Sequence, residues 1–138
     1  MAVVVWNKLF EYGIPIIDQQ HKKIVTMMNN VVEKLEVEKI SDDIKRECQI
    51  AIIIVAEHFS DEERLLEDIG YPGLSQQKEL HKKIMLKLQN VRREIDLEND
   101  VLSQGIVGEF REMFKRHILE EDRKYGYYYH KGIMPSSY

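Results

Sequence analysis

The chain has 138 residues, 43% of them hydrophobic and 32% charged, with a formal net charge of −4. At roughly 100–200 residues per domain this is a single domain over residues 1–138, long enough to bury a core. Interspersed charge and a pI of 5.8 point away from a nucleic-acid or anionic-membrane surface. The lone Cys48 excludes an internal disulfide and fits a reducing compartment.

The stretch "MAVVVWNKLFEYG" has no basic leader before a long apolar segment, and its run from Val3 to Trp6 is too short for a signal peptide or a span. The expectation is a cytoplasmic protein without membrane contact. Pro15 closes an irregular N-terminal arm, and Asp18 is placed to cap a first helix. The stripe of that helix is His21, Ile24, Val25, Met28, Val32 and Leu35, at three- and four-residue steps.

Ser41 caps a second helix, with Asp42 and Asp43 where negative charge suits an N-terminus. Its stripe is Ile44, Cys48, Ala51, Ile52, Val55, His58, Phe59, Glu62, Leu65, Leu66 and Ile69, and "GYPG" from Gly70 to Gly73 ends it. Ile52 to Val55 could be a strand in isolation, but it lies inside this long 3.6-residue pattern.

A third stripe reads Gln77, Leu80, His81, Ile84, Leu88, Val91 and Ile95. Asn99 or Asp100 caps a fourth helix carrying Val107, Phe110, Phe114, His117 and Ile118. Gly105 and Gly108 weaken its first turns by about 1 kcal/mol each. After Asp122 the aromatic "YGYYYHKGIMPSSY" reads as a short C-terminal tail. Four amphipathic helices with short connections predict an all-α, up-down-up-down four-helix bundle.

Four of the five histidines, His21, His58, His81 and His117, fall one to a helix on the apolar stripes. One such histidine is usually a satisfied core residue. Four require four buried hydrogen-bonding solutions unless one charged object satisfies them together, and a metal does so. His21 and His81 are early in their helices, and His58 and His117 are late. Alternating helix directions therefore bring all four to the same end of the bundle.

Carboxylates complete the pattern. Glu62 follows His58 by four residues and faces the same way. Glu121 and Asp122 follow His117 by four and five. Simple helical geometry favours Glu121, because a five-residue step turns away by more than roughly 100°. Asp122 serves only if the helix ends or loosens there, or if it points between two metals. Imidazole with carboxylate suits iron, zinc or manganese, and more than four ligands argues against a closed structural zinc.

These residues resemble the hemerythrin family, specifically its single-domain bacterial members. The resemblance is carried by Trp6, "GIPIIDQQH" to His21, "HFSDEE" with His58 and Glu62, "GYPGL", "LHKKI" with His81, and "HILEEDRKY" with His117 and Asp122. It implies a four-helix bundle around two non-heme iron ions that binds O2 reversibly. By resemblance, Glu62 and Asp122 bridge the irons together with an oxo or hydroxo group. His21 and His58 hold the iron with an open position, while His81, His117 and one further histidine hold the other. The family thus selects Asp122 over Glu121.

The chain departs from the family at that further histidine, which is Gln77 here, on the stripe four residues before His81. Gln77 could ligate through its carbonyl oxygen, a weaker donor to iron than imidazole; otherwise water fills the position, or that iron binds weakly. Met113 stands where the family often has a tryptophan walling the O2 pocket, leaving Met113 and Phe114 to keep the wall apolar. Cys48, Met27 and Met28 read as packing and His130 as a surface residue. Tyr125 and its neighbours cover the bundle end, with a hydrogen bond to a ligand as one option.

The leading expectation is a non-enzymatic O2 protein for storage, delivery or sensing, with a monomer compatible. The alternatives are a diiron redox enzyme acting on peroxide or NO, or a degenerate one-metal sensor or structural bundle. Ferritin-like oxidation wants two Glu-x-x-His motifs, and this chain has none.

Overall fold

The computed structural model describes residues 6–37 and 39–135. Most of the apolar run from Val3 and the end of the Pro/Ser stretch, Ser136–Tyr138, lie outside them. Helices α1 (Pro15–Val37), α2 (Asp42–Asp68), α3 (Leu74–Asp96) and α4 (Asp100–Arg116) form the bundle. A π-helical segment, His117–Asp122, leads without a break into α5 (Arg123–Lys131). Among the described residues there is no strand. Helix α1 packs on α2 and α4, and α3 packs on the same two, which is the up-down-up-down ring expected from the stripes.

Two boundaries differ from the sequence reading. Helix α1 begins at Pro15, whose fixed φ suits a first helical position. Asp18 lies inside the first turn, and its carboxylate reaches back to accept the backbone N–H groups of Tyr12 (2.9 Å) and Gly13 (3.1 Å). It caps the arm rather than standing before the helix. The aromatic "YGYYYHK" is helix α5, not a loose tail. Tyr125 is fully buried, so this segment has an inward face that its run of tyrosines obscures.

The other punctuation acts as expected. Ser41 Oγ accepts from Ile44 N–H at 3.3 Å, a cap worth about 1 kcal/mol. Asn99 precedes α4, and its carbonyl accepts from Ser103 N–H at 2.9 Å. Gly70 adopts φ +67°, where a side chain would be strained, so that its N–H reaches the Glu67 carbonyl and the Tyr71 N–H reaches that of Leu66.

The core has two parts. The larger runs along the bundle from Leu35, Ile44 and Ile95 up to Phe59, Phe114 and Ile118. The smaller, made of Ile14, Ile17, Leu66, Tyr71 and Tyr125, closes one end. Between them in sequence lie His21 on α1, Glu62 on α2 and Asp122 on the π segment. The arm crosses this end, with Trp6 stacked on Phe10 at 5.0 Å and the Tyr12 hydroxyl donating to the Ile118 carbonyl.

Gly126 lets the arm pass. A Cβ there would lie 2.8 Å from the Tyr12 Cβ, too close for any real contact. Gly126→Ala should therefore displace Tyr12 and destabilise the protein by about 1–3 kcal/mol, measured by thermal or urea unfolding. An unchanged midpoint would show that the arm yields freely.

Candidate metal centre

All six expected residues meet at one level. His21 comes from α1, His58 and Glu62 from α2, His81 from α3, and His117 and Asp122 from the π segment; each is buried. Glu62 is approached by three imidazoles: His81 Nε2 at 2.9 Å, His58 Nε2 at 3.0 Å and His21 Nε2 at 3.3 Å. Asp122 is approached by His117 Nε2 at 2.9 Å and His21 Nε2 at 3.2 Å.

The π segment removes the conflict over Asp122. Its backbone closes hydrogen bonds five residues on rather than four, so the step from His117 to Asp122 returns to the same face. Glu121, favoured by ordinary α-helix geometry, turns outward and pairs with Lys124 at 3.2 Å. The Tyr12 hydroxyl on the Ile118 carbonyl supports the backbone inside this widened turn.

Gln77 is buried on the expected stripe, 2% exposed. Its Nε2 donates to Asp122 Oδ1 and to the Glu121 carbonyl, both at 3.2 Å. Both partners only accept, which fixes the amide orientation. Its Oε1 has no hydrogen-bond partner. Phe114, fully buried and edge-on to His21 at 6.4 Å, supplies the apolar wall. Met113 is half-buried and lines a groove beside His117. His130 is exposed, with Nε2 2.6 Å from the Tyr12 carbonyl, away from the cluster.

Three partners escape a stripe-based reading in whole or part. Gln20 Oε1 lies 2.6 Å from His58 Nδ1, Glu63 Oε2 lies 2.7 Å from His81 Nδ1, and the Tyr125 hydroxyl donates to Glu62 Oε2 at 2.9 Å. Glu63 is off the inward stripe, where phase alone predicts a nearly silent alanine substitution. Its carboxylate nonetheless reaches His81, so an alanine there would remove a contact that phase does not foresee. The available signal is adjacency: Gln20 and Glu63 are long side chains one residue from His21 and Glu62, at the level of the cluster.

The electrostatics are those of a site organised around positive charge. Burial pushes the His21 imidazole down, but hydrogen bonds to Asp122 and Glu62 and their charge outweigh it and raise its pKa to about 9. Burial likewise opposes the charged forms of His81 and His117, and the carboxylates raise both. Burial also works against ionised Glu62, yet the charge of His58 and hydrogen bonds from His21, His58 and His81 hold it well below its usual range. Burial, followed by the charge of Glu62 and Asp122, keeps the Tyr125 hydroxyl protonated.

These shifts set a pH dependence for the metal-free protein. The raised His21 contributes stability that is complete below its ordinary 6.5 and is lost as pH rises through about 9. The depressed Glu62 and Asp122 contribute stability present above their ordinary 4.5 and 3.8, lost on acidification through their lower folded values. Metal-free protein should thus be most resistant to urea between about pH 4.5 and 6.5 and weaken toward pH 9. A flat profile from pH 6 to 9.5 would contradict the pairing.

A cation pair fits the donor set. The buried Nε2 atoms of His58, His81 and His117 face the buried carboxylates of Glu62 and Asp122 at 2.9–3.0 Å, and no other polar group among the described residues satisfies them. They fall into two groups that share Glu62: His21, His58 and Glu62, and Glu62, His81, His117 and Asp122. Within each group the donor atoms lie within 4.8 Å of one another. Cations would take the place of protons on the imidazoles and satisfy these atoms together.

Known proteins are similar to this chain over most of its length. The family described as the hemerythrin HHE cation binding domain matches residues 12–128. The bacteriohemerythrin of Clostridium acetobutylicum is 35% identical over 125 residues, covering 88% of this chain and 97% of that protein. That of Stenotrophomonas maltophilia is 27% identical over 135 residues, covering 91% and 80%. That of Campylobacter jejuni is 22% identical over 123 residues, covering 89% and 92%. With its bundle, its two donor groups and a match spanning all six clustered residues, the chain belongs to the hemerythrin family.

Proposed function

We propose that this cluster holds two non-heme iron ions and that the protein binds O2 reversibly. The observation that carries the reading is the pair of donor groups joined through Glu62. His21 and His58 would hold one iron, His81 and His117 the other, and Glu62 and Asp122 would bridge. Iron held there would supply redox-active chemistry suited to reversible O2 binding.

The chain's own residues favour reversal over reduction. Phe59, Phe114 and Ile118 are buried apolar groups at this level. Tyr125 is a buried proton donor, and its hydroxyl is engaged by Glu62 and held protonated. The Nδ1 protons of His58 and His81 are held outward by Gln20 and Glu63. A dry site with few free protons disfavours onward reduction of a bound diatomic. No helix among the described residues is long and apolar enough to cross a membrane.

A second reading, turnover of peroxide or NO, draws support from the His81–His117 side. One groove reaches His81 and another reaches His117, and Gln77 stands beside them where the resemblance implies an imidazole donor. Anaerobic loading with ferrous iron followed by metal analysis and cycles of O2 and vacuum separates these readings. The expected result is two irons per chain and an absorbance change that appears with O2 and reverses. A single bound zinc with no second metal defeats the diiron reading. Irreversible consumption of O2 or peroxide would favour the enzyme.

A further inference from the structure

The two donor groups are backed differently. Gln20 Nε2 donates to Asp61 Oδ2 at 3.0 Å, and a carboxylate can only accept, so the Gln20 carbonyl oxygen is the atom facing His58 Nδ1. His58 therefore donates from Nδ1 to a neutral amide. His81 donates from Nδ1 to Glu63, an anion. Both imidazoles present Nε2 to the cluster, and only His81 has a carboxylate behind it.

This asymmetry coincides with a second one. The group containing His81 and His117 is the one beside Gln77, where the resemblance to the family implies an imidazole donor and this chain has an amide. A carboxylate accepting from the outer nitrogen makes the inner nitrogen a stronger donor and fixes the ring. The stronger backing thus sits on the donor-poor side. Phe59 already fixes the plane of His81, stacked at 3.9 Å and 9°. Ring orientation alone does not require a charge at Glu63. The Glu63 side chain is 27% exposed in a groove lined by Lys78 and Lys82, yet its oxygen points at His81.

We propose that Glu63 is a positioning residue whose carboxylate, by accepting the His81 Nδ1 proton, strengthens His81 as a metal donor and offsets the imidazole absent at Gln77. The inference rests on the metal-centre reading. It assigns Glu63 a role at one of the two metal positions and none at the other.

The test compares the parent with Glu63→Gln, alone and in a Gln77→His background, each loaded anaerobically with ferrous iron and challenged with a chelator. Glu63→Gln keeps a side chain of the same shape and removes the charge. The expected result is that one of two metal equivalents leaves roughly tenfold faster, the low end of the effect of outer partners. The second equivalent is unchanged, and the acceleration shrinks in the Gln77→His background. In zinc-loaded protein, the His81 Nδ1–H resonance should move upfield in Glu63→Gln, a signature that a purely structural contact would not give. Equal release of both equivalents in parent and variant, or the same acceleration in both backgrounds, would overturn the role of Glu63. Failure of the parent itself to take up a second metal would overturn the metal-centre reading instead.

Discussion

Glu62→Ala should abolish the binding of both metals and with it all O2 binding, whereas His58→Ala should weaken one position first. Glu62 is the residue common to the two donor groups, and three imidazoles converge on it from α1, α2 and α3. Removing it takes a donor from each group and the main counter-charge from the metal-free cluster. The residue is fully buried, so no solvent replaces it. Breaking a buried pair by deleting one partner typically costs about 3–5 kcal/mol. Metal-free Glu62→Ala should show a loss of that size in urea unfolding near pH 6, where the imidazoles are paired. Glu57→Ala, at an exposed position on the same helix, should stay within about 0.5 kcal/mol of the parent and retain both metals. Two metals retained in Glu62→Ala would refute the bridging role.

The same residues show how far a sequence can be read. His58 and Glu62 obey a four-residue step on a regular helix, so their convergence follows from phase alone. The bundle and its sidedness follow from four such stripes and from Ser41 and Gly70. Asp122 does not follow from phase, because its approach to His117 depends on a backbone that closes hydrogen bonds at five residues. Nothing in local propensity announces that widening, which is held by a contact from the distant Tyr12. Glu63 and Gln20 are hidden for another reason. Periodicity reports where a Cα–Cβ bond points, and long side chains one step off the stripe reach around to the outer nitrogens of His81 and His58. The helical character of Arg123–Lys131 was masked by tyrosines, whose hydroxyls make a buried face look polar.

Gln77→His should slow iron loss and lengthen the life of the O2 complex, while slightly weakening the metal-free fold. Two effects of opposite sign are separable here. The present amide donates to Asp122 Oδ1 and to the Glu121 carbonyl, and an imidazole with one N–H cannot keep both contacts. Losing one neutral hydrogen bond costs about 1 kcal/mol, read as a small drop in metal-free stability. Against this, a histidine four residues before His81 faces the same metal position and supplies a stronger donor to iron than an amide oxygen. A tenfold gain in retention corresponds to about 1.4 kcal/mol, enough to exceed that loss once metal is bound. An added donor also leaves less room for water at the position beside His81 and His117, which should lower the autoxidation rate. The comparison is iron release to a chelator and autoxidation of the O2 complex, parent against variant, with metal-free unfolding measured alongside. Slower release together with a lower metal-free midpoint is the expected pair. Unchanged release and autoxidation would mean that the Gln77 carbonyl oxygen, which has no hydrogen-bond partner within the protein, already serves as well as an imidazole or lies out of reach of the metal.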